Sequence, residues 1–398
     1  MPPTLLVSDE FPPNRDSVAR TLGELARHWP PEALVVSTGE TAESAAFDET
    51  LALRVDRIGV PARRLRTLRG LLFWSRRVVS LARELDPEFI WCGNIRPSAY
   101  PAKWTRERVG VPYGIMVHGA DLLTLQHRLH QARVRRRTVR SLVGSASVVV
   151  ANSRWTRERC DVVLGELGIG PPPDRIRVVP LGTDPRRYRP AIDTDAVRRR
   201  YGLEDGKWLL TVAKLAPNTG VDLALRSLSL LRAEFPDLRH AVIGTGPQER
   251  ELEAMARELG VADRVRFLTD VPDEDLPALY NVAVMYVGPS RQAGLDVEGF
   301  ALALLEASAS ALPVVAARTG GGADAVREDE TGVLVDFESP DAVAAAIRAL
   351  LGHPERAKAL GAAGRRAVET FFNWDRVVTD LRALSSAFRL ERSPTPPP

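Results

Sequence analysis

Short apolar runs alternate along the chain with longer segments in which apolar residues recur at helical spacing. In the first half TLLVS, ALVVST, EFIWCG, PYGIMVHG, SVVVANS and IRVVPLG read as buried strands. Helical segments such as Ser17–His28 and Gly70–Leu85 lie between them. The pattern restarts after Pro190 with WLLTVAKL, HAVIGTG, VRFLTD, VMYVGPS, LPVVAA and TGVLVD. Uninterrupted apolar runs, each followed by a helix, suit parallel sheets covered on both faces. The expected fold class is therefore α/β: two doubly wound domains facing a central cleft, joined near Pro185 to Gly206. Ligands of such sheets sit outside the carboxyl ends of the strands. The expected divisions are residues 1–187, residues 188–372 and a C-terminal helix over 373–391 that packs back on the first domain. The tail, 392–398, ends in SPTPPP, cannot continue that helix and is expected to be disordered.

One stretch does not fit a plain core. VEGFALALLEASASALPVVAARTGGG, from Val297 to Gly322, carries Glu298 and Glu306 in apolar surroundings, with a triple glycine downstream. If one helix holds both, eight residues at about 100° each place them within about 80° of one another. Buried carboxylates need partners, and a partner from outside the helix is expected.

Composition narrows the class. The 398 residues exceed one ordinary core, and 44% apolar with 26% charged content is that of a globular protein. No apolar run approaches the ~18 residues of a membrane span, and the first ten residues read as a strand rather than a secretory signal. Cys92 and Cys160 make neither a disulfide framework nor a metal-ligand spacing. A cytoplasmic protein fits. The net charge of +3 hides a basic stretch: from Arg63 to Arg140 there are 17 Lys/Arg against 5 Asp/Glu. Its densest part is QARVRRRTVRS, Gln131 to Ser141. That segment is either a solvated helix face or a surface for an anionic partner such as lipid headgroups. Nucleic acid is disfavoured, because no aromatic residues interleave the arginines.

Several segments taken together resemble one family, the retaining glycosyltransferases of family 4, whose GT-B fold pairs two Rossmann-like domains. FPP (Phe11 to Pro13), VHGAD (Val117 to Asp121), ANSRWT, PLGTD, IGTGPQ, RVRFLTDVPDEDLPALY and EGFALALLE follow one another in the family's order over nearly the whole chain. The resemblance implies an acceptor-binding first domain and a second domain that binds a nucleotide-sugar donor, with no metal and no other cofactor. It implies that Glu298, at a helix start, hydrogen-bonds donor-sugar hydroxyls. The N–H groups of Gly299, Phe300 and Ala301 would face the diphosphate or the sugar, and Glu306 would accept the ribose hydroxyls. The alternative is that Glu298 only caps the helix and Glu306 pairs with a buried Arg. His118 would contact donor sugar or acceptor, or be a satisfied loop histidine. Gly244 and Gly246, before Pro247, would line the site or form a plain turn, and Thr269 to Val271 would lie near the base.

Two departures stand out. Where the family reads Gly-Arg-Leu, three residues and Lys-Gly, this chain has AKLAPNTG, with Lys214 at the arginine position and Thr219 at the lysine position. Lys214 keeps charge without the bidentate fork. After FPP the family's Gly-Gly pair is replaced by Asp16 and Ser17. Asp16 would repel a diphosphate unless it pairs with Arg15, binds a cationic acceptor or caps the following helix. The expected activity is transfer of a hexose from a nucleoside-diphosphate sugar, GDP ahead of UDP, with the leaving phosphate taking the acceptor proton. Lys214, His118 and Glu298 would carry the chemistry. VSDEFPPN and PPEALVVST look most like mannosyltransferases acting on phosphatidylinositol. The basic Arg133–Arg140 segment would then give peripheral contact at the inner face of the membrane. A specialised-metabolite (antibiotic) transferase with a thiol or amine acceptor, and a catalytically silent nucleotide-sugar-binding protein, stay open as alternatives.

Overall fold

A computed structural model describes residues 2–14, 16–129, 133–169 and 175–389. Arg15, Gln131 and the tail over 392–398 lie outside the described residues, as do the side chains of residues 133–135. The chain divides into two compact units, Met1–Val179 with Trp374–Pro398, and Pro180–Asn373.

The first unit is built on a sheet of seven strands: β1 Thr4–Val7, β2 Leu34–Glu40, β3 Arg54–Pro61, β4 Phe89–Cys92, β5 Tyr113–Val117, β6 Val148–Ala151 and β7 Ile176–Val178. Their order is β3-β2-β1-β4-β5-β6-β7, and every pair is parallel. Strand β1 is an interior strand, Thr4 registering with Leu34 on one side and Phe89 on the other. The central runs TLLV, FIWC, YGIMV and VVVA are buried throughout, as strands covered on both faces must be. Edge strand β3 had no signature in the apolar pattern, because Arg54, Asp56 and Arg57 break it and its residues are mostly part-exposed. It nevertheless delivers Arg57, whose guanidinium pairs with Asp48 and donates to the carbonyls of Pro12 (2.6 Å) and Gly39 (3.0 Å), bracing the FPP turn.

The terminal helix Trp374–Phe388 belongs to this unit. Trp91 Nε1 donates to Ser385 Oγ at 2.9 Å, both fully buried, and Trp374 packs near His28 of the helix Ser17–His28. Cys92 and Cys160 are buried and free. Burial raises both thiols, Cys160 to about 12, so neither is poised as a nucleophile.

The second unit carries six strands: β8 Lys207–Val212, β9 Leu238–Ile243, β10 Val265–Leu268, β11 Ala283–Gly288, β12 Val314–Ala317 and β13 Val333–Val335. Their order is β10-β9-β8-β11-β12-β13, again all parallel. All six were legible as apolar runs. Among the described residues no helix is long and apolar enough to cross a membrane.

Candidate functional site

In the second sheet the strand order reverses between β8 and β11, and the crevice outside the carboxyl ends at such a point is where ligands bind. The loops after β8 and β9 interlock there. Ala213 N–H donates to Ile243 O (3.0 Å), Leu215 N–H to Thr245 O (2.9 Å), and Gln248 N–H to Leu215 O (3.0 Å). This closeness requires glycine. A Cβ on Gly244 (φ 140°) would stand 2.0 Å from Ala213 O, and one on Gly246 would stand 2.3 Å from Leu215 O. The two glycines therefore do more than turn the chain: they let two backbones lie against each other.

Lys214, in the loop so held, is exposed and makes no ion pair with the described residues. Thr219 behaves differently. Its side chain is buried, and Oγ1 lies 2.9 Å from Lys214 O and 2.8 Å from Ala216 O, so its one hydrogen is shared between carbonyls of its own loop. Thr219 braces the loop that presents Lys214. Arg291, which the sequence did not single out, follows β11. Its N–H donates to Asn218 O (2.8 Å), and its guanidinium pairs with Asp222 at 2.9 Å. Val271 lies half-buried in the loop after β10.

The helix after β11 begins at Leu302 and ends at Ala309. Glu298 is therefore not at a helix start, and the wheel relating it to Glu306 does not apply. The reason is tertiary: the carbonyl of Glu298 accepts the N–H of Gly321 at 2.8 Å instead of an intrahelical donor. A Cβ on Gly320 (φ 57°) would stand 2.6 Å from that carbonyl, so the triple glycine is what lets the two loops meet. Gly299, Phe300 and Ala301 are buried in the same loop, with Ala301 at the helix N-cap. The Glu298 side chain is half-buried, and desolvation pushes its carboxyl up to about 7. Tyr286 lies close by. Its hydroxyl donates to Val212 O (3.2 Å), and burial, with Glu298 next, raises its phenol well above the usual range.

Glu306 is 3% exposed and accepts a hydrogen bond from Tyr280 Oη at 2.7 Å. Tyr280 is one partner of Glu306; the family resemblance implied ribose hydroxyls, with a buried arginine as the alternative. The tyrosine comes from the helix Leu276–Val282 and packs edge-on against Tyr188.

In the first sheet the order reverses between β1 and β4. Asp9 and Glu10 leave the end of β1, and Gly93 and Asn94 the end of β4. Arg66 Nε pairs with Asp9 (2.7 Å) and Nη2 with Glu10 (2.8 Å), while Asn94 Nδ2 donates to the other oxygen of Asp9 (2.8 Å). Burial raises the Glu10 carboxyl, Asp9 adds to the rise, and Arg66 and His118 oppose it. His118 follows β5. Its N–H donates to Asp121 Oδ1 (3.0 Å), and its Nε2 lies 2.9 Å from Gly93 O. A carbonyl only accepts, so Nε2 carries a hydrogen.

Asp16 occupies the N-cap position of the helix Ser17–His28 but makes no side-chain cap bond. It accepts instead from Asn14 Nδ2 at 3.0 Å, and both Asp16 and Ser17 are exposed. Among the described residues no group of three or more His, Cys, Asp or Glu could hold a metal ion. Asp9 and Glu10 could have been found from their place after the first strand. Arg66, 57 residues from Asp9, left no local trace.

Residues 18–187 match the family model described as Glycosyltransferase Family 4, and residues 193–367 match that described as Glycosyl transferases group 1. The chain is 33% identical over 377 residues, 93% of its length and 94% of the relative's, to a GDP-mannose-dependent alpha-(1-6)-phosphatidylinositol monomannoside mannosyltransferase of Mycolicibacterium smegmatis. The chain belongs to glycosyltransferase family 4. This glycosyltransferase is also 39% identical, over 61% of its length and 55% of the relative's, to a D-inositol 3-phosphate glycosyltransferase of Acidothermus cellulolyticus. Its fold matches that of Anabaena HepE solved in complex with UDP and glucose, with a TM-score of 0.77 at 18% identity over 97% of this chain and 100% of that one. The two sheets are those of a GT-B glycosyltransferase.

Proposed function

We propose that this glycosyltransferase moves a mannosyl-type hexose from a GDP-sugar to a hydroxyl of an inositol-lipid acceptor, with retention at the anomeric carbon. The observation that carries the reading is the near full-length similarity to the Mycolicibacterium smegmatis mannosyltransferase. The second unit supports it chemically. Lys214 and the neighbouring Arg291 offer positive charge at the β8–β11 crevice, where a diphosphate leaving group gathers negative charge.

In this reading the bond from the anomeric carbon to the diphosphate breaks with its electron pair going to phosphate. The acceptor oxygen bonds the same face of that carbon, and its proton passes to a phosphate oxygen. Lys214 steadies the leaving phosphate, and the N–H groups of the Gly299–Ala301 loop and the Glu298 carboxyl orient the sugar. Glu306, held by Tyr280, accepts the ribose hydroxyls. His118 Nδ1 accepts from a sugar or acceptor hydroxyl. A lipid-linked acceptor brings the reaction to a membrane surface.

One observation favours a second reading. Asp9 and Glu10 outnumber Arg66 at the first sheet's crevice, which suits a cationic amine acceptor. Incubating the protein with GDP-mannose or UDP-glucose and either phosphatidylinositol mannoside or small amine and thiol acceptors separates the two. A mannosylated lipid with retained anomeric configuration supports the first. Products only on an amine or thiol support the second, and nucleotide binding without transfer or donor hydrolysis defeats both.

A further inference from the structure

Two asparagines stand at strand ends of the first sheet, each 6% exposed: Asn94 after β4 and Asn152 after β6. Asn94 is fully engaged. Its Nδ2 donates to Asp9 Oδ1 (2.8 Å), and its Oδ1 accepts from the N–H (3.2 Å) and the hydroxyl (2.9 Å) of Ser98. Asn152 is buried to the same degree, yet its side chain makes no hydrogen bond with the described residues, and its Oδ1 is shut off from solvent. An interior amide without partners is costly, and folding alone gives no reason to keep one.

The place of Asn152 in the sheet supplies a reason. Val117 pairs with Ala151 across β5 and β6, so His118 and Asn152 leave adjacent strands level with each other. They do so at the carboxyl ends, where sheets of this kind take their ligands. Parallel neighbours run about 4.8 Å apart, a spacing that one small ligand can bridge. Asp121 adds a second unused acceptor: its Oδ1 takes the N–H groups of His118 and Leu122, while its Oδ2 is buried without a partner. Ser153, the next residue along, is committed elsewhere, since its hydroxyl bonds Thr156 and caps the helix Arg154–Glu166. An amide carries no charge and both donates and accepts, so it matches neighbouring hydroxyls better than it matches an ion.

We propose that Asn152 is a specificity-determining contact for the acceptor, its amide hydrogen-bonding the hydroxyls of a polyol such as an inositol ring. The inference rests on the reading of the first unit as the acceptor unit, but its test needs neither donor nor turnover.

Thermal melting of the full chain with rising myo-inositol provides that test. N152L keeps the branching of the side chain without its polar atoms, and N152A shortens it. Removing an amide that the fold does not use relieves a cost, so at least one variant should melt at or up to about 2–4 °C above the wild type. Myo-inositol should raise the wild-type midpoint, with a half-maximal concentration about tenfold higher in both variants, whereas GDP should shift all three proteins alike. Lower midpoints in both variants would show that the fold itself uses the amide, and would overturn the proposal. So would a wild type that does not respond, or equal responses in all three proteins, the result that general exclusion of a polyol from protein surface gives. In transfer from GDP-mannose to phosphatidylinositol mannoside, N152A should raise the acceptor KM about tenfold with the GDP-mannose KM unchanged, and an unchanged acceptor KM would also overturn it. Absence of transfer by the wild type would defeat the proposed reaction and leave the inositol titration to decide on Asn152.

Discussion

Replacing Tyr280 with Phe removes one hydroxyl from a fully buried ring and changes nothing else in shape. Its Oη donates to Glu306 Oε2 at 2.7 Å, and the carboxylate is itself 3% exposed. Water cannot take over the lost donor at such a site. A hydrogen bond to a charged group contributes about 1.5–3 kcal/mol, and leaving its acceptor short of a donor in the interior incurs the same order of cost. Unfolding of the second unit should therefore weaken by about 2 kcal/mol, which for a domain of its size lowers its melting midpoint by roughly 4–8 °C. In the proposed reading the carboxylate would also lose a contact that orients it towards the ribose, so GDP affinity should fall about tenfold, roughly 1.4 kcal/mol. Scanning calorimetry reads the first effect and isothermal titration with GDP the second. In a double-mutant cycle with E306A the two stability losses should be far from additive. If Y280F melts with the wild type and binds GDP equally well, the bond contributes nothing and Tyr280 does not position Glu306.

Lys214→Ala removes the exposed cation at the β8–β11 crevice and should lower kcat/KM about 10²–10³-fold with the fold intact; an unchanged rate would remove Lys214 from the phosphate site. Gly244→Ala places a Cβ 2.0 Å from Ala213 O at φ 140°. It should destabilise the second unit by about 2–3 kcal/mol and weaken nucleotide binding, read by thermal melting and titration. The Glu298 carboxyl, pushed up to about 7 by burial, holds its proton more tightly in the native than in the unfolded chain. Its contribution is full below the ordinary value of 4.5, declines as pH rises towards 7 and is level above. The span is at most about 3 kcal/mol, less what partial exposure removes. Glu298→Gln should therefore become relatively more stable than the wild type between about pH 5 and pH 8 in urea unfolding, and parallel curves would contradict the assignment.

Twelve of the thirteen strands could be read from the chain because each contains a short apolar run, as the strands of a parallel sheet covered on both faces do. Strand β3 escaped because an edge strand tolerates Arg54, Asp56 and Arg57 within four residues. The site was legible where the chain itself brings residues together, as in AKLAPNTG and IGTGPQ. It was illegible where tertiary bonds decide. EGFALALLE has helical propensity throughout, yet Gly321 draws the Glu298 carbonyl out of the helix. Thr219 stood where a lysine was expected, and only the two carbonyls around its hydroxyl show that it braces its own loop. Tyr280 lay inside a quoted motif without a role until Glu306 was seen beside it.

The two crevices obey the same topological rule with opposite charge. At β8–β11 the cationic side chains are Lys214 and Arg291, the latter shared with Asp222. At β1–β4 the described ion pairs set Asp9 and Glu10 against Arg66, and the raised Glu10 carboxyl records that burial and the second carboxylate outweigh Arg66 and His118 there. A diphosphate carries at least two negative charges, and two carboxylates in a partly desolvated crevice repel it more strongly than in water. The departure after the FPP turn works in the same direction. Asp16 stands exposed, hydrogen-bonded to Asn14 and not to the helix, so its charge is not spent on the cap. In the proposed reading the phosphates therefore fall to the second unit's own residues, and the first unit suits hydroxyl or amine groups. Glu10→Gln tests that division. It should leave GDP affinity near the wild-type value while changing the acceptor KM, and a rise in GDP affinity of tenfold or more would show that the first unit's carboxylates face the diphosphate after all.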